Sequence, residues 1–288
     1  MTLVPSRSLL DDAVLHERAV PSFNVITLEH VEAIVVGAER AGSGVLLQLS
    51  ENAIKYHGGR AEPLLAASRE LADAASVPIG IHLDHIQDRK LAERLIALAP
   101  RFGVGSLMFD AANLDYAANV AATTEVTEAG HAAGLWIEAE LGEIGGKDGA
   151  HAPGVRTDPT EAADFVAATG VDGLAVAVGS SHAMTERAAS LDLTLIAELA
   201  ARLPVPLVLH GSSGVPDETI ALAVAAGIRK VNIGTVLNVV WTGSIRATLA
   251  GNSSLVDPRR YFRGARDEMT ATVAALCAVV SPSPLCKY

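Results

Sequence analysis

Cysteine, aromatic residues and positive charge are all scarce in this sequence of 288 residues. The two cysteines, Cys277 and Cys286, lie near the C-terminus, which argues against a disulfide framework. Aromatic residues make up only 4% of the chain, although hydrophobic residues make up 50%. The apolar residues are mostly Ala, Val, Leu and Ile, a composition typical of parallel strands buried on both faces beneath helices.

The shortage of positive charge gives a formal net charge of −11. Binding to nucleic acid depends on basic patches, so this charge disfavours a nucleic-acid partner. An anionic substrate would have to be bound by backbone amides, a metal or a few arginines. No apolar run is long enough for a membrane span, and the first residues, MTLVPSRSLLDDAV, lack the layout of a signal peptide. The sequence therefore predicts a cytoplasmic protein without a membrane partner.

Short apolar runs alternate with longer amphipathic segments along the chain. The predicted strands are VPSFNV (20–25), VLLQLS (45–50), PIGIHLDH (78–85), GSLMFD (105–110), LWIEAELG (135–142), GLAVAVG (173–179), PLVLHG (206–211) and KVNIGT (230–235). The predicted helices cover 28–42, 60–75, 88–99, 115–133, 160–169, 192–202, 217–226 and 236–249. This alternation predicts an α/β fold, and about eight units predict a closed (β/α)8 TIM barrel. A doubly wound open sheet is the alternative, but no GxGxxG turn follows the first strand.

Residues 257–280 are predicted to form an additional C-terminal helix beyond the eight units. No Pro/Gly/Ser-rich linker or low-complexity segment divides the chain. We therefore expect residues 1–288 to form a single domain.

Three histidines are placed at or just after the ends of predicted strands. They are His85, His182 and His210, in the third, sixth and seventh units. The C-terminal strand ends of a barrel meet at one mouth, and three imidazoles with an open position form a typical catalytic zinc site. The alternative is that each histidine only bonds a nearby backbone carbonyl. The histidines within predicted helices are expected on solvated faces: His16, His30 and His131.

Carboxylates accompany these histidines at the strand ends. Asp84 directly precedes His85, and both side chains can face one site only if the backbone curls there. Asp84 could be a metal ligand, a hydrogen-bond partner of a ligand, or a general acid or base, and the alternative is a helix cap. His82 is expected either to pack in the interior or to orient Asp84. Glu138 and Glu140 alternate on an apolar strand, so at least one is expected to face the mouth beside a metal or a hydrogen-bond donor.

Two segments rich in small residues follow the seventh and eighth strands. They are HGSSG (210–214) and NIGT (232–235). Loops after these two strands form the usual phosphate site of barrel enzymes, although GSSG could be only a turn. The five lysines give negative information, because none ends a predicted strand. Lys230 begins the eighth strand and is expected at the opposite face, which disfavours Schiff-base chemistry.

The assembled motifs resemble the class II, metal-dependent fructose-bisphosphate and tagatose-bisphosphate aldolases. The resemblance is collinear from FNV at 23–25 to DPRRYF at 257–262, and its most specific motifs are HLDH, EAELGEIGG, AVGSSH, VLHGSSGVPD and VNIGT. It implies a homodimer or homotetramer that acts on a phosphosugar.

The resemblance also implies roles for individual residues. It implies His85, His182 and His210 as ligands of Zn²⁺ or another divalent metal. It implies Asp84 as the proton carrier at the C4 oxygen, Glu140 as a carboxylate that contacts the metal in some states, and Asp148 as a candidate for abstracting the ketone-phosphate proton. Asn232 would position the ketone, and the phosphate would be bound by Gly211, Ser212, Ser213, Gly234 and Thr235. Asn24 and Ser50 would line the aldehyde side.

The chain departs from the family pattern in three places. Ala183 replaces a glycine that often follows the second zinc histidine and helps to hold a monovalent cation. The resemblance therefore does not predict whether this chain has the cation site. The acidic pair usual after the double glycine reads Lys147-Asp148. Thr272 occupies the place of an arginine that grips the second phosphate in some members. The nearby arginines are either phosphate clamps or part of a solvated helix face: Arg259, Arg260, Arg263 and Arg266.

The expected reaction is the reversible cleavage of a ketose 1,6-bisphosphate through an ene-diolate that zinc stabilises. Fructose 1,6-bisphosphate, giving dihydroxyacetone phosphate and glyceraldehyde 3-phosphate, is the first expectation. Tagatose 1,6-bisphosphate or another ketose phosphate is the alternative within the same chemistry. From the residues alone, a metal hydrolase or a non-catalytic phosphosugar-binding barrel also remains open.

Overall fold

The computed structural model of the chain describes residues 2–141, 156–180 and 187–281. Eight parallel strands form a closed barrel in sequence order, and β8 pairs with β1 to complete it. The strands are β1 Val20–Asn24, β2 Val45–Ser50, β3 Ile79–Ile86, β4 Ser106–Phe109, β5 Trp136–Glu140, β6 Gly173–Ala175, β7 Leu207–Leu209 and β8 Ile228–Ile233. The predicted (β/α)8 architecture is confirmed, and the open-sheet alternative is wrong.

Helices of the described chain connect the strands, precede the first and follow the last. They are α1 Ser6–Leu15, α2 Leu28–Ala41, α3 Glu51–Tyr56, α4 Glu62–Ala74, α5 Arg89–Phe102, α6 Tyr116–Ala132, α7 Pro159–Thr169, α8 Leu193–Arg202, α9 Asp217–Ala226, α10 Thr235–Gly251 and α11 Pro258–Val280. A 3₁₀ turn, Ser212–Gly214, follows β7. None of the described helices is both long and apolar enough to cross a membrane.

Several helices begin at an aspartate whose carboxylate accepts a hydrogen bond from a backbone N–H of the first turn. These aspartates are Asp88, Asp115, Asp158, Asp192 and Asp257. The bond satisfies a donor that has no partner inside the helix, and the negative charge suits the helix N-terminus. Aspartates in the loops that precede these helices therefore define where each helix starts.

The apolar core has two parts, one between the sheet and the surrounding helices and one inside the barrel. The interior part contains Val20, Leu46 and Trp136 from the strands, packed against Leu10 and Ala13 of α1. Helix α1, which the sequence did not predict, therefore closes the N-terminal end of the barrel. The polar side chains of the interior lie farther along the strands, toward the C-terminal end.

The C-terminal helix α11 packs along α2 and α10. Gly37 of α2 allows this close approach, because a Cβ atom at this position would lie 2.7 Å from Cβ of Val273 and 2.8 Å from the carbonyl oxygen of Thr270. The predicted additional helix is thus present, and it covers one side of the barrel.

Candidate active site and metal centre

The end of β3 turns two consecutive side chains toward the barrel mouth. Asp84 is 2% exposed, and its pairing register with β4 shifts between Leu83 and Ile86. His85 has a φ of 47°, a left-handed conformation that is uncommon for a residue with a side chain. Strained backbone of this kind clusters at functional sites. The irregular strand end is what places Asp84 and His85 on the same side.

His210 directly follows β7 and is completely buried beside His85. The centroids of the two imidazole rings are 4.7 Å apart, and the rings are tilted by 79°. One ligand atom each from Asp84, His85 and His210 lie within 4.8 Å of one another. Ligands of tetrahedral zinc, about 2.1 Å from the ion, are roughly 3.4 Å apart, so a small adjustment would let this group hold a metal.

Each of these two imidazoles is oriented by a carboxylate from another strand of the barrel or from the residue that follows it. His85 Nδ1 lies 3.1 Å from Asp110 Oδ2, which also accepts a hydrogen bond from Gln87 Nε2 at 3.0 Å. His210 Nε2 lies 2.9 Å from Glu138 Oε1. Ionised carboxylates can only accept, so these contacts require protons on His85 Nδ1 and His210 Nε2. The opposite ring nitrogens then carry the lone pairs, as in many metal sites.

Glu140 lies between the two histidines. Its Oε2 atom is 3.7 Å from His210 Nδ1 and 3.9 Å from His85 Nδ1. Together with His85 and Asp110 it forms a second group of possible metal ligands. Glu138 and Glu140 are both buried, because alternate residues of β5 face the barrel interior.

Lys230 lies inside the barrel, so the expectation that it belongs to the opposite face is wrong. The eighth strand begins at Ile228, two residues earlier than predicted, and the Lys230 side chain extends along the interior. Its Nζ lies 2.7 Å from Glu138 Oε2, 2.7 Å from Asn232 Oδ1 and 3.4 Å from His82 Nε2. Schiff-base chemistry remains disfavoured, because an amine attacks in its neutral form and Lys230 is ion-paired.

Of the two roles expected for His82, packing and orienting Asp84, the structure supports packing, because the side chain is completely buried and bonds Ser106. Its Nδ1 lies 2.8 Å from Ser106 Oγ, which donates to Ser6 Oγ at 2.8 Å. Burial, followed by the charge of Lys230, holds the pKa of His82 well below its usual value. A neutral His82 can accept from Lys230 at Nε2 and donate to Ser106 from Nδ1.

The segments after β7 and β8 lie next to each other at the start of α10. Ser213 Oγ accepts from the backbone N–H of Val236 at 3.1 Å, and Ser212 Oγ donates to the Asn232 carbonyl at 2.6 Å. Gly211 has a φ of 65°, and Thr235 is the first residue of the helix. The arrangement combines a helix N-terminus with hydroxyl groups, which suits an anion.

Asn24 and Ser50 occupy the ends of β1 and β2. Asn24 Oδ1 accepts from Gln48 Nε2 at 2.9 Å, and Gln48 Oε1 accepts from Ser22 Oγ at 2.5 Å. Ser50 Oγ caps α3 by accepting from the backbone N–H of Ala53 at 3.2 Å. Both predicted residues are partly exposed at the barrel mouth.

Two predicted residues, His182 and Asp148, lie outside the described residues, as do Ala183 and Lys147. The chain on either side of 181–186 is nevertheless bonded to the β7 loop. Ser180 Oγ donates to the His210 carbonyl at 2.6 Å, and Arg187 Nε donates to the Val215 carbonyl at 2.9 Å. Both flanks of the segment that contains His182 therefore contact the neighbourhood of His210.

The arginines of α11 make contacts on the helix surface. Arg259 pairs with Asp257 at 2.9 Å, and Arg266 pairs with Glu32 of α2 at 2.6 Å. Thr272 Oγ1 donates to the Glu268 carbonyl one turn earlier at 2.9 Å.

The sequence analysis missed Asp110, Gln48 and the interior position of Lys230. Asp110 was visible as the last residue of the predicted strand GSLMFD, which is a polar strand end like those of the histidines. Lys230 and Asn232 are two residues apart on β8, a spacing that places both on one face. A correct start for β8 would have been enough to place Lys230 inside.

The comparisons with known proteins agree with this geometry. The family model for class-II fructose-bisphosphate aldolases matches residues 4–283. A fructose-bisphosphate aldolase of Geobacillus stearothermophilus is 35% identical over 276 residues, which cover 95% of each chain. A candidate fructose-1,6-bisphosphate aldolase of Coccidioides immitis has a TM-score of 0.85 at 31% identity over 96% of each chain. The YdjI aldolase of Escherichia coli K12 has a TM-score of 0.82 at 29% identity, over 97% of this chain and 98% of that chain.

Proposed function

Since the chain belongs to the class-II fructose-bisphosphate aldolase family and is an aldolase, we propose that it reversibly cleaves fructose 1,6-bisphosphate to dihydroxyacetone phosphate and glyceraldehyde 3-phosphate. The observation that carries the proposal is the convergence of Asp84, His85 and His210 beside Asn232. The carboxylate can move a proton, the imidazoles can bind a metal that polarises a ketone, and the amide can donate to a substrate oxygen.

The family is generally metal-dependent, and we propose Zn²⁺ as the metal, with His85, His182 and His210 as its ligands. The support is the set of donor atoms, because imidazole nitrogens suit zinc. His85 and His210 each donate the N–H of the other ring nitrogen to a carboxylate. The contact of Ser180 with the His210 carbonyl supports the proposal for His182. When bound, the metal would act as a Lewis acid that polarises the ketone carbonyl. Glu140 lies close enough to both described histidines to serve as a further ligand.

Asp84 would move the proton at the C4 oxygen. In cleavage its carboxylate takes the proton of the C4 hydroxyl, and in condensation it returns that proton. Asn232 Nδ2 lies 3.3 Å from Asp84 Oδ1 and 3.0 Å from His210 Nε2. Because the Nε2 proton of His210 is donated to Glu138, the amide can donate toward Asp84 and the ketone portion but not to the imidazole. Asp148 stays our candidate for the proton of the ketone-phosphate carbon.

The phosphate of the ketone portion would bind at the N-terminus of α10. This site would include Gly211, Ser212, Ser213, Gly234 and Thr235. The helix N-terminus offers backbone N–H groups and a partial positive charge, which offset the acidic character of the chain. Asn24 and Ser50 would face the aldehyde portion from the ends of β1 and β2.

A metal-depletion experiment combined with a panel of sugars tests this function. We expect chelator to abolish cleavage of fructose 1,6-bisphosphate and stoichiometric Zn²⁺ to restore it, with release of dihydroxyacetone phosphate measured by a coupled assay. Full activity of metal-free protein would contradict the metal-dependent mechanism. The same assay with tagatose 1,6-bisphosphate and monophosphorylated ketoses identifies the substrate. If one of these sugars gives a higher kcat/KM than fructose 1,6-bisphosphate, that sugar is the preferred substrate. Binding without turnover of any sugar would favour the non-catalytic alternative.

A further inference from the structure

We infer that Lys230 is a positioning residue that fixes both the metal-facing His210 and the substrate-facing Asn232. The inference rests on the proposed function, because it assigns a role relative to the proposed metal and ketone sites. Lys230 is completely buried, and its three nearest acceptors match the three protons of an ammonium group: Glu138 Oε2, Asn232 Oδ1 and His82 Nε2.

The first connection runs from Lys230 through Glu138 to His210. One carboxylate oxygen of Glu138 accepts from Lys230 at 2.7 Å, and the other accepts from His210 Nε2 at 2.9 Å. The carboxylate is therefore held at both oxygens, and its orientation decides which ring nitrogen of His210 carries the proton. A carboxylate that orients a ligating histidine raises metal affinity about tenfold to a hundredfold in typical sites.

The second connection runs from Lys230 to the amide of Asn232. An ammonium group can only donate, so its 2.7 Å contact identifies the atom that faces it as the amide oxygen. The NH2 group of Asn232 is then turned toward Asp84 Oδ1 at 3.3 Å. Without Lys230 the amide could rotate and present its oxygen to the site instead.

Charge supports the same assignment. Four carboxylates of the site are almost completely buried: Asp84, Asp110, Glu138 and Glu140. Buried charges persist when they are paired and hydrogen-bonded. Lys230 supplies a positive charge to this group from the barrel interior, and this charge does not depend on a bound metal or substrate.

The test compares Lys230→Met, Glu138→Gln and the double variant, with Lys90→Met as the matched control. Lys90 lies exposed on α5, away from the barrel interior. Zn²⁺ affinity is measured by competition with a chromogenic chelator, and the visible spectrum of the Co²⁺-loaded proteins reports the coordination geometry. We expect Lys230→Met and Glu138→Gln each to weaken Zn²⁺ binding about tenfold to a hundredfold, and both to alter the Co²⁺ spectrum.

The double variant distinguishes action through Glu138 from an independent effect. If Lys230 acts through Glu138, the double variant binds Zn²⁺ no more weakly than Glu138→Gln alone, because coupled residues are not additive. Multiplied losses, or unchanged affinity and an unchanged Co²⁺ spectrum in Lys230→Met, would overturn the inference. The double variant removes both charges of the buried pair and so leaves no unpaired charge. If Lys230→Met alone does not fold, the Zn²⁺ affinity of the double variant can still be compared with that of Glu138→Gln.

Failure of the inference differs from failure of the proposed function. Unmodified protein and Lys90→Met that bind no Zn²⁺ would contradict the proposed metal site itself. Tight binding by these two proteins, together with equally tight binding by Lys230→Met, would contradict only the role of Lys230.

Discussion

Glu138 and His210 form a 2.9 Å hydrogen bond across the inside of the barrel, although their strands are not neighbours. Strand β6 lies between β5 and β7, and it contributes Gly173 and Ala175 at this level. The carboxylate and the imidazole therefore meet inside the barrel across β6, whereas Gly173 makes room for the Trp136 ring, because a Cβ atom there would lie 2.3 Å from Trp136 Cη2.

The first prediction separates Asp84 from the metal ligands. Asp84→Asn should retain nearly stoichiometric Zn²⁺ but lose turnover by about 10²–10⁴-fold, because a general acid–base group is removed while the imidazoles remain. His210→Ala should lose both metal and turnover. Metal content after gel filtration, together with the coupled cleavage assay, gives the comparison. Equal metal loss in the two variants would make Asp84 a ligand rather than a proton carrier.

The sequence was sufficient to predict the barrel because the alternation of strands and helices persists along the chain. Strand starts were less well predicted, and the two-residue error at β8 moved Lys230 to the wrong end. Helices α1 and α3 were missed because α1 precedes the repeating units and α3 is a single short helix inside a loop.

The candidate site was predictable where polar residues end apolar strands, as for Asp84, His85 and His210. It was less predictable where a role depends on a partner distant in sequence. His30, for example, lies in a helical pattern and was expected on a solvated face, but it is only 3% exposed because α10 covers it. The cytoplasmic location and the homodimeric or homotetrameric assembly stay predictions.

The second prediction concerns the close contact between Gly234 and Asn24. A Cβ atom on Gly234 would lie 2.9 Å from Asn24 Oδ1, which already accepts from Gln48. Gly234→Ala should therefore displace Asn24 and reduce kcat/KM on the order of tenfold, or about 1.4 kcal/mol.

Gly243 is the matched control for this substitution. It lies within α10, the helix that Gly234 directly precedes. A Cβ atom on Gly243 would have no neighbouring atom within 4 Å outside the backbone of its own helix. Gly243→Ala should keep full activity and raise the free energy of unfolding by roughly 0.5–1 kcal/mol, because alanine favours a helix. Identical activity of the two alanine variants would mean that the position of Asn24 does not matter for turnover.

The third prediction concerns Asp110, which orients His85. Asp110→Ala removes the acceptor 3.1 Å from His85 Nδ1 and should weaken Zn²⁺ binding about tenfold to a hundredfold in a competition titration. Asp88→Ala removes only the cap of α5, and it should cost about 1 kcal/mol in urea unfolding while Zn²⁺ affinity stays unchanged. Unchanged affinity in Asp110→Ala would show that the imidazole of His85 is oriented by other groups.

The fourth prediction follows from the burial of His30 against Trp241, whose ring centroid lies 5.6 Å away. Burial lowers the pKa of His30 from 6.5 to about 4 in the folded protein. Between these two values the unfolded chain binds a proton that the folded protein does not, so stability falls as the pH falls. From pH 7 to pH 5 the loss attributable to His30 should be about 2 kcal/mol. His30→Gln lacks the titrating group, and its free energy of unfolding should therefore fall less over this range in urea titrations. Parallel pH dependence of the two proteins would show that His30 accepts a proton in the folded state as readily as in the unfolded chain.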